Sequence, residues 1–158
     1  MSRALPFVFF SLALAACNQG QPAGRGADAS AVQIADAVCR PTPVGRQATG
    51  CYLTLTAPQD DRLVSVASPV AGRIEIHESR MESNMMMMRE LKEGMPLPAG
   101  QKVELKPGGN HIMLLSVTEP LSTGDTVPLV VTFASAPPAE ITATVDQPAL
   151  TDAGHAEH

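Results

Sequence analysis

Methionine and histidine are concentrated in one segment of the chain. Seven of the eight methionines lie between Met81 and Met113, and His77 and His111 lie near the two ends of that segment. A core of ordinary composition uses methionine as a gap-filler along the whole chain, because the thioether side chain adapts to irregular packing. Thioether sulfur binds Cu(I) well and hard cations poorly, and imidazole also binds copper. The clustering therefore indicates a copper site.

The spacing of these residues predicts how strands present them. Successive side chains of a strand alternate between its two faces, so His111 and Met113 project from one face. In residues 72–77 the isoleucines share a face, which places His77 on the opposite one, at the end of the predicted strand and at a rim of the fold. The four methionines that follow, 85–88, are the thioethers nearest in sequence. Met86 and Met88 fall on one side if that piece is extended.

The rest of the chain is also rich in predicted strands. Segments with β-branched, aromatic or alternating apolar residues occur at 50–56, 63–67, 72–77, 102–105, 111–117 and 126–133, with 141–145 as a further candidate. Turn sequences containing proline, glycine or aspartate separate them. Many short strands at this spacing, with almost no helical periodicity, predict an all-β protein with an antiparallel β-sandwich fold.

The N-terminus has the pattern of an export signal. A positively charged start precedes an apolar run at 6–16 that is too short to span a bilayer comfortably. Residues 14–17 (LAAC) resemble a bacterial lipobox, which implies a lipid anchor on Cys17; an ordinary secretory signal is the alternative. Asn18, which follows the cysteine, favours sorting of the lipoprotein to the outer membrane. Residues 19–30 are small and polar without periodicity, which indicates a flexible tether.

Charge and motifs exclude several classes of function. Removing residues 1–16 takes away one arginine and no acid, so 10 basic and 16 acidic side chains remain, a formal charge of −6. Nucleic-acid binding requires a basic surface instead. The sequence contains no GxGxxG, P-loop, HExxH or GxSxG motif and no recognisable nucleophile and base, so an enzyme is not indicated.

The remaining cysteines, Cys39 and Cys51, are twelve positions apart. In an exported chain this favours a structural disulfide between them. A Cys-x-x-Cys redox motif is absent. Neither cysteine is close in sequence to the methionine cluster, which argues against a blue-copper site, because such sites need a cysteine thiolate.

Several motifs resemble those of the periplasmic copper chaperones called PCuAC proteins. They lie at residues 61–64 (DRLV), 68–73 (SPVAGR), 76–78 (IHE), 86–89 (MMMR), 97–100 (LPAG) and 103–114 (VELKPGGNHIML). The resemblance runs from about Val38 to Phe133. It implies a cupredoxin-like β-sandwich that binds Cu(I).

The family's copper motif is a histidine, a methionine eleven positions later, and a later His-x-Met pair. The resemblance thereby implies His77, Met88, His111 and Met113 as ligands. The spacing from Met88 to His111 is one residue longer than the family pattern, which a single insertion in the predicted loop 89–96 explains. Met86 is the alternative ligand. The other methionines of the segment are predicted to fill loops or the core: Met81, Met85, Met87 and Met95.

The resemblance also implies a function. Family members deliver Cu(I) for assembly of the cytochrome c oxidase copper centre, so the expected partners are the copper-binding subunit of that oxidase and Sco-type copper proteins. A copper-sequestering or resistance lipoprotein without a dedicated recipient is an alternative, as is a structural β-sandwich lipoprotein.

The predicted domain organisation has four parts. A signal peptide at 1–16 and a tether at 17–30 precede a PCuAC-like copper-binding β-sandwich at 31–146, which is followed by an acidic tail at 147–158. His155 and His158 in this tail are candidates for a second site that takes Cu(II), and a solubilising, disordered end is the alternative.

Overall fold

The computed structural model describes residues 30–148 of the chain. This part contains ten strands and no helix, which confirms the all-β prediction. No helix capable of crossing a bilayer therefore occurs among these residues. The strands are β1 (Gln33–Cys39), β2 (Ala48–Thr56), β3 (Asp61–Ala67), β4 (Ala71–Glu82), β5 (Met85–Glu90), β6 (Met95–Leu97), β7 (Lys102–Leu105), β8 (His111–Val117), β9 (Thr126–Phe133) and β10 (Ala139–Val145).

The strands form one continuous, open sheet that packs on a single core. Its order is β5-β4-β8-β2-β1-β10-β9-β3-β6, and β7 pairs with β2 beside this path. Buried side chains from strands that are far apart in this strand order belong to one hydrophobic cluster, for example Ile112 of β8 and Leu63 of β3. The sheet is therefore folded into two facing layers, the predicted cupredoxin-like sandwich. One pairing departs from a purely antiparallel arrangement, because β1 and β10 run parallel.

The predicted disulfide is confirmed. Cys39 and Cys51 are bonded, both are fully buried, and they pair directly in the β1–β2 ladder. Cys51 in turn lies opposite Ile112 of β8. The disulfide therefore joins β1 to β2 in the core, directly beside β8. Strand β8 carries His111 and Met113 on either side of the buried Ile112.

The prediction that His77 ends its strand at a rim is wrong. Strand β4 continues for five residues past His77, to Glu82, and returns as β5. The two-residue turn that makes this possible is Ser83–Asn84, in which both residues have positive φ, 50° and 64°. Such turns match the twist of a hairpin. His77 therefore lies within a ladder, with a strand on each side.

Part of the predicted loop 89–96 is strand. Arg89 and Glu90 belong to β5, and β6 begins at Met95, so the connection shrinks to residues 91–94. Met95 is only 2% exposed and packs in the core. The segment 85–88 is extended, as the face assignment of Met86 and Met88 required.

Candidate metal centre

The predicted ligands come from three neighbouring strands, β5, β4 and β8. His77 on β4 pairs with His111 on β8 on one side and with Glu90 on β5 on the other. Paired residues project from the same face of a sheet, and so do residues two apart. We call this surface the site face. It carries Glu75, His77, Ser79 and Met81 from β4, Met86, Met88 and Glu90 from β5, and His111 and Met113 from β8.

The two imidazoles lie close together at the centre of the site face. Their ring centres are 5.6 Å apart and the ring planes are inclined by 75°. His111 is 7% exposed and the His77 side chain 15%. Metal–imidazole bonds are about 2 Å long, so the separation of the ring centres is compatible with one ion bonded to both rings.

Hydrogen bonds leave a different nitrogen free on each ring. His111 donates from Nδ1 to the Gly109 carbonyl, 3.0 Å away, which leaves the lone pair on Nε2. His77 donates from Nε2 to Glu75 Oε2 at 2.7 Å, which leaves the lone pair on Nδ1. Hydrogen bonds of this kind fix the tautomer of metal-binding histidines.

The free nitrogen of His77 is also buried without a hydrogen-bond partner. Among residues 30–148, His77 Nδ1 is the one buried side-chain nitrogen or oxygen without a hydrogen-bond partner. Leaving such an atom unpaired costs roughly 1–3 kcal/mol. A metal ligand has this property before its metal binds, so the orphaned atom fits the donor role predicted for His77.

Burial lowers the pKa of His111 below its usual value. The hydrogen bond to the Gly109 carbonyl acts in the opposite direction, and the neighbouring His77 adds to the lowering. His111 is therefore neutral near pH 7, and the neutral imidazole is the form that binds a metal.

The candidate thioether ligands line a cavity together with His111. This cavity, about 650 Å³ in volume, is lined in part by His111, Met113, Met88, Met86 and Ser79. Met113 is half-buried, whereas Met86 and Met88 are each 54% exposed. Met86 therefore shares both the face and the cavity with Met88, and it stays an alternative ligand.

The other methionines of the hairpin lie on different faces of it or further from the histidines. Met85 and Met87 project from the opposite face of β5, where they pair with Glu82 and Arg80. Met81 lies on the site face but further out, opposite Met86. The two tail histidines, His155 and His158, and the cysteine proposed to carry a lipid, Cys17, lie outside the described residues.

Sequence reasoning missed two supporting residues. Glu75 orients His77, and its position two residues earlier on the same strand face was the available signal. Gly50 lies opposite Met113, and a Cβ there would be 3.1 Å from the Tyr52 hydroxyl and 4.0 Å from His111 Cδ2. Nothing in the sequence indicated that Gly50 makes room for these two rings.

Harder ligands are not assembled elsewhere in the described residues. Among them, no group of three or more His, Cys, Asp or Glu side chains is placed to hold a metal ion. The candidate site instead combines two imidazoles with thioethers, the donor type suited to Cu(I).

Two comparisons find proteins that are similar to this chain in sequence. The family model described as "Putative lipoprotein LpqE-like" matches residues 32–145. "Putative lipoprotein Lxx21020" of Leifsonia xyli subsp. xyli is 29% identical over 134 residues, which cover 83% of this chain and 81% of that protein.

Solved structures point to the same fold. A copper-bound PCuAC domain from PmoF2 superposes with a TM-score of 0.61 at 22% identity, over 74% of this chain and 93% of that domain. The Cu(I) form of DR1885 from Deinococcus radiodurans has a TM-score of 0.56 at 26% identity, over 78% of this chain and 85% of that one. The fold is that of PCuAC domains, and the match of the family model across most of the sequence establishes that the chain belongs to the LpqE-like family.

Proposed function

We propose that this protein is a copper chaperone that binds one Cu(I) ion through His77, Met88, His111 and Met113 and passes it to another protein. The observation that carries the proposal is the pair of opposed imidazoles, in which His77 Nδ1 and His111 Nε2 are left for a metal. Two thioethers lie on the same face beside them. The copper-bound PCuAC domain of PmoF2 and the Cu(I) form of DR1885 support copper as the cargo.

This ligand set suits a carrier in an oxidising compartment. All four donors are neutral, so the loaded site keeps a single positive charge and no thiol has to be deprotonated or kept reduced. The only two cysteines among the described residues are bonded to each other in the core.

The two halves of the site differ in exposure, which favours transfer over storage. His111 is buried and Met113 half-buried, whereas Met88 lies exposed on β5, at one end of the strand order. An incoming ligand from a partner can replace the Met88 sulfur first, while the buried donors still hold the ion. An exposed ligand at a sheet edge is the part of the site that a recipient protein can reach.

The recipient belongs to the proposal as well. By resemblance to PCuAC proteins, the ion goes to the copper-binding subunit of cytochrome c oxidase, with Sco-type proteins as further partners. The protein acts in the periplasm, held by a lipid on Cys17 and preferentially at the outer membrane. The lipoprotein family and the Leifsonia relative support the anchor.

A transfer experiment tests this function. The Cu(I)-loaded protein is mixed anaerobically with the soluble copper-binding domain of an oxidase subunit, and copper is measured in both after separation. We expect copper to move to the oxidase domain. Retention of copper by the chaperone, under conditions in which free Cu(I) loads the recipient, would identify a copper-sequestering lipoprotein instead.

For the tail we propose a second site, in which His155 and His158 bind Cu(II). Imidazole and carboxylate suit the divalent ion better than thioether does. Gln147, almost the last described residue, lines the same cavity as His111, so the tail begins beside the Cu(I) site. Truncation after Pro148 should remove Cu(II) binding and leave Cu(I) affinity unchanged; Cu(II) binding by the truncated chain would refute the tail site.

A further inference from the structure

The methionines of the β4–β5 hairpin are more numerous than the proposed site requires. Met81, Met85, Met86, Met87 and Met88 are all between 45% and 63% exposed. Filling of the core explains Met95, which is 2% exposed, but none of these five. A contiguous group of exposed apolar side chains usually marks a place of interaction, and thioethers add a specific affinity for soft metal ions.

Two of these side chains form a matched pair on the site face. Met81 of β4 lies directly opposite Met86 of β5, next to the hairpin turn. Opposed residues of an antiparallel pair have their Cβ atoms about 5 Å apart. The thioether side chain has three rotatable bonds, so both sulfurs can converge on one ion above the sheet.

We propose that Met81 and Met86 form a second, weaker Cu(I) site, a loading site, from which the ion moves through Met88 to the site of His77, His111 and Met113. This inference rests on the proposed function, because it assigns the route by which the cargo arrives. Two thioethers without an imidazole hold Cu(I) less tightly than the full set, so the ion moves toward the histidines.

The register supplies evenly spaced steps for this movement. From the turn inward, the pairs on the site face are Met81 with Met86, Ser79 with Met88, and His77 with Glu90. Successive pairs are about 7 Å apart. Met88, opposite the short side chain of Ser79, is 54% exposed. Both Met86 and Met88 line the cavity that His111 also lines.

Each step is an exchange of neutral ligands. In the first exchange, a bond from copper to the Met88 sulfur forms as the bond to Met86 or Met81 breaks. In the second, bonds to the imidazoles form as the bond to the other methionine of that pair breaks. The copper stays Cu(I) throughout, and no proton or electron moves. The hydrogen-bonded tautomers already expose the receiving lone pairs of His77 and His111.

The charges of the hairpin do not oppose a cation. Residues 71–90 contain four glutamates and three arginines. Each arginine is paired with a carboxylate of β4: Arg73 with Glu75, Arg80 with Glu82 and Arg89 with Glu78. The approach to the loading site is therefore close to neutral or slightly acidic.

The test is a silver(I) titration, because Ag(I) resembles Cu(I) in its ligands and does not change oxidation state. The full chain with Cys17→Ser, which removes a competing thiol, is labelled with ¹³C at the methionine methyl groups and followed by NMR. We expect the first equivalent to shift the signals of Met88 and Met113 and the second to shift those of Met81 and Met86. The double variant Met81→Leu/Met86→Leu should lose the second equivalent, keep the first, and take up Cu(I) more slowly.

Two further variants make the result decisive. Met85→Leu/Met87→Leu changes the same number of exposed methionines on the opposite face and should keep both equivalents. His77→Ala/His111→Ala removes the tight site and should still show Ag(I)-dependent shifts of Met81 and Met86, so failure of the loading site is distinguishable from failure of the proposed function. Unmoved Met81 and Met86 signals at two equivalents, or the same loss in the Met85/Met87 variant, would overturn the inference.

Discussion

His77 and His111 face each other across the β4–β8 ladder, with ring centres 5.6 Å apart, and they are held in opposite tautomers. The carboxylate of Glu75 engages Nε2 of the first, and the Gly109 carbonyl engages Nδ1 of the second. The pair therefore has two free lone pairs before any metal arrives. Preorganisation of this kind reduces the free-energy cost of ordering ligands on binding.

Glu75 is a positioning residue in this arrangement. Loss of an outer hydrogen-bond partner of a metal ligand typically weakens metal affinity by roughly 10- to 100-fold, and we expect Glu75→Gln to weaken Cu(I) binding by that order. Competition with a chromophoric chelator measures the affinity, and ¹⁵N NMR of His77 reports the tautomer. Glu78→Gln, on the other face of β4, is the control and should bind as the wild type does.

If Glu75→Gln binds with unchanged affinity although His77 has lost its Nε2-protonated tautomer, the hydrogen bond has no role in the site. A change in unfolding free energy without a change in affinity would show that Glu75 acts only on stability.

Acidification should destabilise the apo-protein through His111. Its pKa is lowered in the folded chain, mainly by burial, whereas an unfolded histidine titrates near pH 6.5. Between the two pKa values the unfolded chain binds more protons, so the free energy of unfolding is highest above the unfolded pKa and falls as the pH drops through the folded one. Urea unfolding from pH 7.5 to pH 5 measures this, with His111→Asn as the comparison.

Between pH 7.5 and pH 5, the free energy of unfolding of His111→Asn should fall by less than that of the wild type. Parallel pH profiles for the two proteins would show that His111 is not the group responsible.

Reduction of the Cys39–Cys51 disulfide should destabilise the domain without emptying the site. Closing a loop of this length contributes about 2–4 kcal/mol, and both cysteines are fully buried. Urea unfolding with and without a reductant measures the loss. The double variant Cys39→Ala/Cys51→Ala should still bind one tight Cu(I); loss of that ion would place the disulfide among the determinants of the site rather than of stability alone.

Gly94 is required for the short connection between β5 and β6. It has φ of +78°, and a Cβ at this position would lie 2.2 Å from the Leu63 carbonyl oxygen. Gly94→Ala should therefore cost clearly more than the roughly 1–2 kcal/mol of a left-handed alanine alone. Gly100→Ala is the matched control, because Gly100 has φ of +68° and a Cβ added there would meet no atom within 4 Å. Equal unfolding free energies for the two variants would contradict the clash.

Where alternation was regular, sequence reasoning located the strands well. The alternating segment Thr126–Phe133 and the segment His111–Val117 have the predicted boundaries. Strand β1 was missed because Asp36 adopts a positive φ of 54° at a bulge that breaks its alternation. The end of β4 was placed at His77 because the polar residues after it resemble a loop, and only pairing with β5 makes them strand.

The placement of the candidate ligands was predictable from the sequence only in part. Alternation alone placed His111 beside Met113, and Met86 beside Met88. The opposition of His77 and His111 depends on the register of two strands far apart in sequence, which no local pattern contains. The partners that choose the tautomers, Glu75 and Gly109, follow from that register and from the turn before β8.

The most direct test of the proposed copper site is an anaerobic Cu(I) titration of the full chain carrying Cys17→Ser, against a chromophoric chelator. The variants are His77→Ala, Met88→Leu, His111→Ala and Met113→Leu, and Met87→Leu is the exposed control on the opposite face of β5. We predict one tightly bound Cu(I) in the parent and the control, and in each of the four ligand variants a loss of affinity beyond the roughly 10- to 100-fold that an outer partner contributes. Parent-like affinity in His111→Ala or Met113→Leu would contradict the site.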